Sequence, residues 1–147
     1  MNLVFGQDQA VGDWVKQRLP TIENGFGQYC AIGVESEGYL IAGVVYHDYR
    51  RFGIQISMAS ESPRWCSRRT LRVLLGYPFL QLNVARVTAC TSKNNKKLRS
   101  LVTRLGFKLE GTIRCGFDGK HDLLVYGLLR DEAQKWIEVR HDERLAA

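Results

Sequence analysis

Between Gly53 and Leu82 the sequence changes its hydrophobic period once, and that change constrains what the chain can fold into. Ile54, Ile56 and Met58 alternate with Gln55, Ser57 and Ala59, the two-residue period of a strand with one buried face. Ser60, Glu61, Ser62 and Pro63 interrupt the pattern. Leu71, Leu74, Leu75, Pro78, Phe79 and Leu82 then recur at helical spacing and make one apolar stripe, with Pro78 expected to kink the helix after Gly76. Between strand and helix lies Arg64-Trp65-Cys66-Ser67-Arg68-Arg69-Thr70. A helix start carries unpaired N–H groups and partial positive charge, so each arginine there opposes the macrodipole by roughly 0.3–1 kcal/mol when exposed. Cations so placed are explained if an anion neutralises them, most simply a pyrophosphate. The alternative is a solvated basic helix start.

Taken in order, Leu3 to Phe5 reads as a short strand, and Asp8 as the cap of a helix with Val11, Trp14, Val15 and Leu19 on its apolar face. Pro20 should stop that helix, and residues 20 to 29 read as an irregular loop. Cys30–Glu35 and Tyr39–Tyr46 form a hairpin through Ser36-Glu37-Gly38, and the Gly53 strand completes an antiparallel meander. After the long helix, a strand from Arg86 to Thr91 should run parallel to the central one through a right-handed crossover. Ser92 or Asn94 would cap a helix from Asn95 to Leu105, ended by Gly106. Lys108–Phe117 and Lys120–Arg130 would pair through a type I′ turn at Asp118-Gly119. A terminal helix from Asp131 turns Trp136 and Ile137 inward.

At 147 residues, with 45% hydrophobic and 24% charged residues, the chain reads as one α+β domain over 1–147, about 141–147 being a frayed tail. It has no apolar run of membrane length and no signal-peptide core, so a soluble cytoplasmic protein away from membranes is expected. Cys30, Cys66, Cys90 and Cys115 stand far apart with no C-x-x-C and no His at metal spacing, so no metal is expected. Cys66 sits among arginines that would favour its thiolate, although a buried or incidental cysteine is the simpler reading. The net charge of +6 suits an anionic partner. No aromatic-basic interleaving accompanies the arginine clusters, so a phosphorylated cofactor is expected rather than nucleic acid.

Three groups of residues resemble the GNAT family, the GCN-related N-acetyltransferases. Arg64 to Arg69 lies where that family has its pyrophosphate loop, [QR]-x-x-G-x-[GA], between the fourth strand and the long helix. Asn95 stands eleven residues before Gly106, as in the ribosomal-protein N-terminal acetyltransferase branch. Leu105-Gly106-Phe107, Glu110-Gly111, Asp122 and Tyr126-Gly127-Leu128 are similar to the ending of that branch. The resemblance implies a mixed, mostly antiparallel sheet of about six or seven strands flanked by helices, with a V-shaped split between the fourth and fifth strands. Ser67 and Arg69 replace the loop's two small residues, Leu98 stands where the branch has Ser, and Val102 where other members have Tyr. Arg104 keeps the basic position.

What the resemblance implies in chemistry is acetyl transfer from acetyl-CoA to an amine of a protein or small molecule, by direct attack in a ternary complex. Residues Met58, Ala59 and Ser60 would hold the amide arm of the cofactor, Arg64, Trp65, Cys66, Ser67, Arg68, Arg69 and Thr70 its pyrophosphate, and Asn95 would reach it from the next helix. An alkylammonium of pKa about 10 must lose a proton before it attacks. Glu61 is one candidate base, with His47, Asp48 and a water chain ending on Ser57 or Ser60 as others. A bulge near Met58 would free an N–H for the oxyanion, and Tyr126 would replace the missing acid. Two other readings remain open: a protein of this fold that binds CoA or acyl-CoA without turnover, and a basic nucleic-acid-binding module. The exposed hairpin strands offer an edge for a homodimer.

Overall fold

The computed structural model describes residues 1–19 and 25–138. Among the described residues, seven strands form one sheet in the order β1-β2-β3-β4-β5-β7-β6: β1 (Asn2–Val4), β2 (Tyr29–Ser36), β3 (Tyr39–His47), β4 (Gly53–Ser60), β5 (Arg86–Ser92), β6 (Lys108–Ile113) and β7 (Leu123–Leu129). Every neighbouring pair is antiparallel except β4 with β5. Helices α1 (Asp8–Gln17), α2 (Arg68–Gly76), α3 (Lys96–Leu105) and α4 (Arg130–Ile137) flank it. The mixed α+β architecture is the one expected, and no helix among the described residues is long and apolar enough to cross a membrane.

Two apolar clusters hold the layers together. The larger joins Ile32, Val34, Val44, Tyr46 and Ile54 of the sheet to Leu71, Leu74 and Leu75 of α2, Val102 and Leu105 of α3, and Ala133 and Ile137 of α4. The smaller sets Val11 and Val15 of α1 against Ala31 and Val45. Helix α1 can lie that close because Gly33 and Gly43, cross-strand partners in β2 and β3, present no side chain to it. A Cβ on Gly43 would stand 2.7 Å from Val15 Cγ2 and 3.0 Å from Val11 Cγ1.

Several sequence expectations are corrected at the ends of elements. Asp8 does not cap α1; its Oδ1 accepts the Ala31 N–H at 2.9 Å and ties helix to sheet instead. The helix ends at Gln17, before Pro20. Pro20 and the first part of the predicted 20–29 loop lie outside the described residues, as does the 141–147 tail. Helix α2 does stop at Gly76, and Tyr77–Gln81 continues as a π-helical turn around Pro78, whose missing N–H breaks the α-helical ladder. Asn95, not Ser92 or Asn94, caps α3, its side chain accepting the Leu98 N–H at 3.1 Å. Gly106 closes the same helix with φ 107°. The Asp118-Gly119 hairpin turn is absent, because β6 ends at Ile113 opposite Leu123 and leaves a longer connection. In it the Asp118 carboxylate accepts the N–H groups of Lys120 and His121 and the His121 ring, which draws its pKa down to about 2.

Candidate active site

The parallel pair β4–β5 holds only over Gly53–Ile56 and Arg86–Ala89. Beyond it β4 runs on to Ser60 and β5 to Ser92 without pairing, so the two strands part. This is the V-shaped split, and it exposes one edge of β4 from Ser57 to Ser60. No bulge is needed, and none occurs in β4, whose register with β3 is regular to Ser60. The bulge expected near Met58 is therefore replaced by the parting itself.

A cavity of about 630 Å³ fills the split, lined by His47, Gln55, Ile56, Ser57 and Met58 on one side and Ala89, Cys90, Thr91 and Ser92 on the other. A second hollow of about 350 Å³ continues it toward Ser60, Glu61 and Lys97, sharing Arg18, Leu19, Met58, Asn95 and Leu98 with the first. Register places Gln55, Ser57 and Ala59 opposite His47, Val45 and Gly43, on the face that α1 covers. Ile56 and Met58 alternate to the other face and join the main core with Leu98 and Val102. The cleft thus crosses the sheet and has two walls of different chemistry.

On the α1 face, His47 Nε2 and Ser57 Oγ share a hydrogen bond of 2.9 Å. The half-buried imidazole packs on Phe26, ring centroids 5.4 Å apart. Burial pulls its pKa below the ordinary imidazole value, against the opposing pull of Asp48, so the ring is neutral at pH 7 and able to take a proton. Glu61 is held differently: its Oε1 is 2.8 Å from Arg18 Nε and 2.7 Å from Arg18 Nη2. Glu61 is thus engaged by Arg18 at the rim, whereas the His47–Ser57 pair lies inside the cleft. Asp48 is turned away, accepting from Arg50 and Gln55.

The basic loop after β4 is a single 3-10 turn, Pro63–Trp65, followed by Ser67 as the N-cap of α2. Ser67 Oγ accepts the Thr70 N–H and Ser67 O the Leu71 N–H. Cys66 N–H and Ser67 N–H bond back to Pro63 and Trp65. Of the loop donors from Cys66 to Thr70, the N–H groups of Arg68 and Arg69 keep no acceptor among the described residues. Trp65 is 3% exposed and belongs to the core, so its ring does not face a cofactor. Arg64 reaches Ser36 Oγ at 3.3 Å. Arg68 donates to the Lys135 carbonyl and stacks over Trp136, which makes it a brace to α4. Burial raises the Cys66 thiol despite Arg104 nearby, the reverse of the thiolate expected.

The structure brings together Met58, Ala59, Ser60, Glu61 and Asn95 around one cleft. It sets Tyr126 apart: that side chain is buried under the outer surface of α3, its hydroxyl accepting from Arg99 Nε at 3.3 Å. Asn95 combines its cap with a place in the cleft wall. Cys90 and Arg18 also line the cleft, and sequence reasoning did not single out either. Burial raises the Cys90 thiol, so it stays protonated. Their places depend on how α1 and β5 pack, which leaves no local signal.

No established family profile matches the chain. A crystal structure described as "Probable acetyltransferase" superposes with a TM-score of 0.64 at 26% identity, covering 84% of this chain and 70% of that one. The chain has the fold of the GNAT acetyltransferases. A relative from Bacillus subtilis, named "Putative ribosomal N-acetyltransferase YdaF", is 41% identical over 64 residues, which cover 42% of this chain. The match spans 35% of that relative's own length, about a third. RimJ of Mycobacterium smegmatis, solved in complex with CoA-disulfide, superposes with a TM-score of 0.60 at 20% identity, over 72% of this chain and 55% of that one. The resemblance to GNAT enzymes and their ribosomal branch is thus borne out.

Proposed function

We propose that this chain is an acetyl-CoA-dependent N-acetyltransferase working by direct attack in a ternary complex. The observation that carries the reading is the parted pair β4–β5, because it makes one cleft with a backbone edge on one strand and a neutral His47–Ser57 pair on the α1 face. Acetyl-CoA would supply the activated acyl group. The free edge of β4 from Ser57 to Ser60 fits the amide arm of such a molecule, as an added strand fits a sheet edge. The N–H groups of Arg68 and Arg69, with the Arg69 side chain, suit its pyrophosphate. Asn95 has its amide nitrogen left for the cleft, since its oxygen is used in capping.

The amine enters on the α1 face. Ser57 takes its proton and His47 Nε2 receives it through their shared hydrogen bond, a relay that fits the imidazole's lowered pKa. Arg18 and Glu61 at the rim position the acceptor. Leu98 and Val102 wall the other side with apolar groups and dry it, which strengthens polar contacts within. Cys90, protonated, is a poor nucleophile, which favours direct transfer over an acyl-cysteine.

Calorimetric titration with acetyl-CoA and CoA, followed by mass spectrometry of peptides and polyamines incubated with acetyl-CoA, tests the proposal. Binding in the cleft with acetylated product is expected, with product lost and CoA affinity kept in His47→Gln. Absence of CoA binding would overturn it, and binding without any product would leave a non-catalytic CoA carrier. Unchanged CoA affinity in Arg69→Ala would remove the pyrophosphate from this loop.

A further inference from the structure

The expectation that no aromatic-basic interleaving occurs fails at one place, Tyr49-Arg50-Arg51-Phe52. These residues connect β3 to β4 at the end where β4 and β5 are paired, the opposite end of β4 from its free edge at Ser57–Ser60. Tyr49 is 55% exposed and Phe52 66%, two rings left in water beside a well-filled core. The Arg50 side chain is 79% exposed, and the Arg51 guanidinium lies 5.1 Å from the Phe52 ring centroid.

The loop is built rather than loose. Asp48 and Arg51 hold left-handed φ values of 51° and 58°, a conformation that costs non-glycine residues about 1 kcal/mol or more each. The Asp48 carboxylate accepts from Arg50 Nε at 3.0 Å and from Gln55 Nε2 at 2.9 Å. The Phe52 carbonyl accepts the Ala85 N–H at 2.8 Å and docks the loop on the turn before β5. That turn belongs to an acid-free run: residues 62–109 hold eleven Lys or Arg and no Asp or Glu, leaving the rest of the chain at −5. One CoA, with its few phosphate charges, does not account for so many cations.

We infer that the Tyr49–Phe52 loop is a contact site for single-stranded RNA. Unpaired nucleotides offer a ring face and a phosphate at each step, and two aromatic rings with two guanidiniums match that alternation. An acidic peptide would use the arginines and leave both rings idle. The inference goes beyond the transferase reading and stands independently of it, because the loop and the cleft share no lining residue.

The test is fluorescence anisotropy of the full chain with fluorescein-labelled oligouridine and oligoadenosine at two salt concentrations, using wild type, Tyr49→Ser/Phe52→Ser and Arg50→Gln/Arg51→Gln. Losing both rings should weaken RNA binding by at least tenfold. Losing both arginines should flatten the logarithmic salt slope by about 1.4. Thermal melting and CoA titration should match wild type in both variants. No RNA binding by wild type, or binding unchanged in both variants, would overturn the inference. So would polyglutamate binding as tightly as RNA and depending on the same residues, since that identifies an acidic protein partner. RNA binding without CoA binding would sink the transferase reading and leave the loop's role standing.

Discussion

Adding one methyl group at Gly43 should shift the whole of α1. The new Cβ would meet Val15 Cγ2 at 2.7 Å and Val11 Cγ1 at 3.0 Å, where ordinary contact begins near 3.4 Å. Valine in a helix has essentially one rotamer, so neither side chain can swing clear. The helix must retreat by somewhat under about 1 Å, forfeiting part of its dispersion contact with the sheet. Val11 and Val15 are 1% and 0% exposed, and releasing both completely would cost about 3–6 kcal/mol. A partial retreat places Gly43→Ala nearer the usual overpacking cost of about 1–3 kcal/mol. At this chain length that lowers Tm by about 2–10 °C. Urea and thermal unfolding followed by circular dichroism measure it. Val15→Ala makes room, so the double variant should be more stable than the sum of the two single costs by about 1 kcal/mol. Strict additivity, or a Gly43→Ala cost below about 0.5 kcal/mol, would refute the close-packed slot. Arg18 and Leu19 follow α1 into the cleft, so the same variant should raise KM for the amine while CoA affinity holds.

His47 has a folded pKa below its unfolded value. The stability linked to it is complete above the unfolded pKa and is lost as pH falls through that value toward the lowered one. The acid limb of kcat/KM should follow the same group and vanish in His47→Gln, which a pH–rate profile reads directly. Trp65→Ala removes a core ring and should cost about 3–5 kcal/mol, whereas Arg69→Ala should leave stability within about 0.5 kcal/mol; equal melting temperatures for the two would contradict Trp65's burial. Arg18→Gln breaks a partly exposed ion pair and should cost no more than about 1 kcal/mol. Intact mass after incubation with acetyl-CoA should show no acetyl group on Cys90, and a stable adduct there would argue against direct transfer.

The strands and helices were legible because each declares its period locally: the alternation from Ile54 to Met58, the stripe from Leu71 to Phe79 and Gly106 as a left-handed stop. Asp118-Gly119 misled because its dipeptide signal is outweighed by where β7 pairs with β6, a property of two strands and not of the turn. In the candidate site, Met58–Ser60 and the α2 start lie where the strand and helix periods put them, at the cleft edge and at a capped helix start. The directions of single side chains were less legible. Trp65 sits in the motif and points into the core, while Cys90 lies outside any motif and faces the cleft. Tyr126 was a reasonable acid by type, but the packing of α3 over β7 gives its hydroxyl to Arg99.

The parting of β4 from β5 also divides the chain in time. Strands β1 to β4 are joined by successive antiparallel pairings, and β5, β7 and β6 form a second set of them. Only four residue pairs, Gly53–Ile56 with Arg86–Ala89, join the two sets along the backbone, and they are the parallel ones. Local antiparallel pairs close small loops and form early, while a parallel pair waits for its crossover helix. The joint is therefore the last part of the sheet to assemble and the first to open, so its amides should exchange with solvent ahead of those on either side. A molecule lying across both halves would act as a late staple, and its binding should be read as slower unfolding.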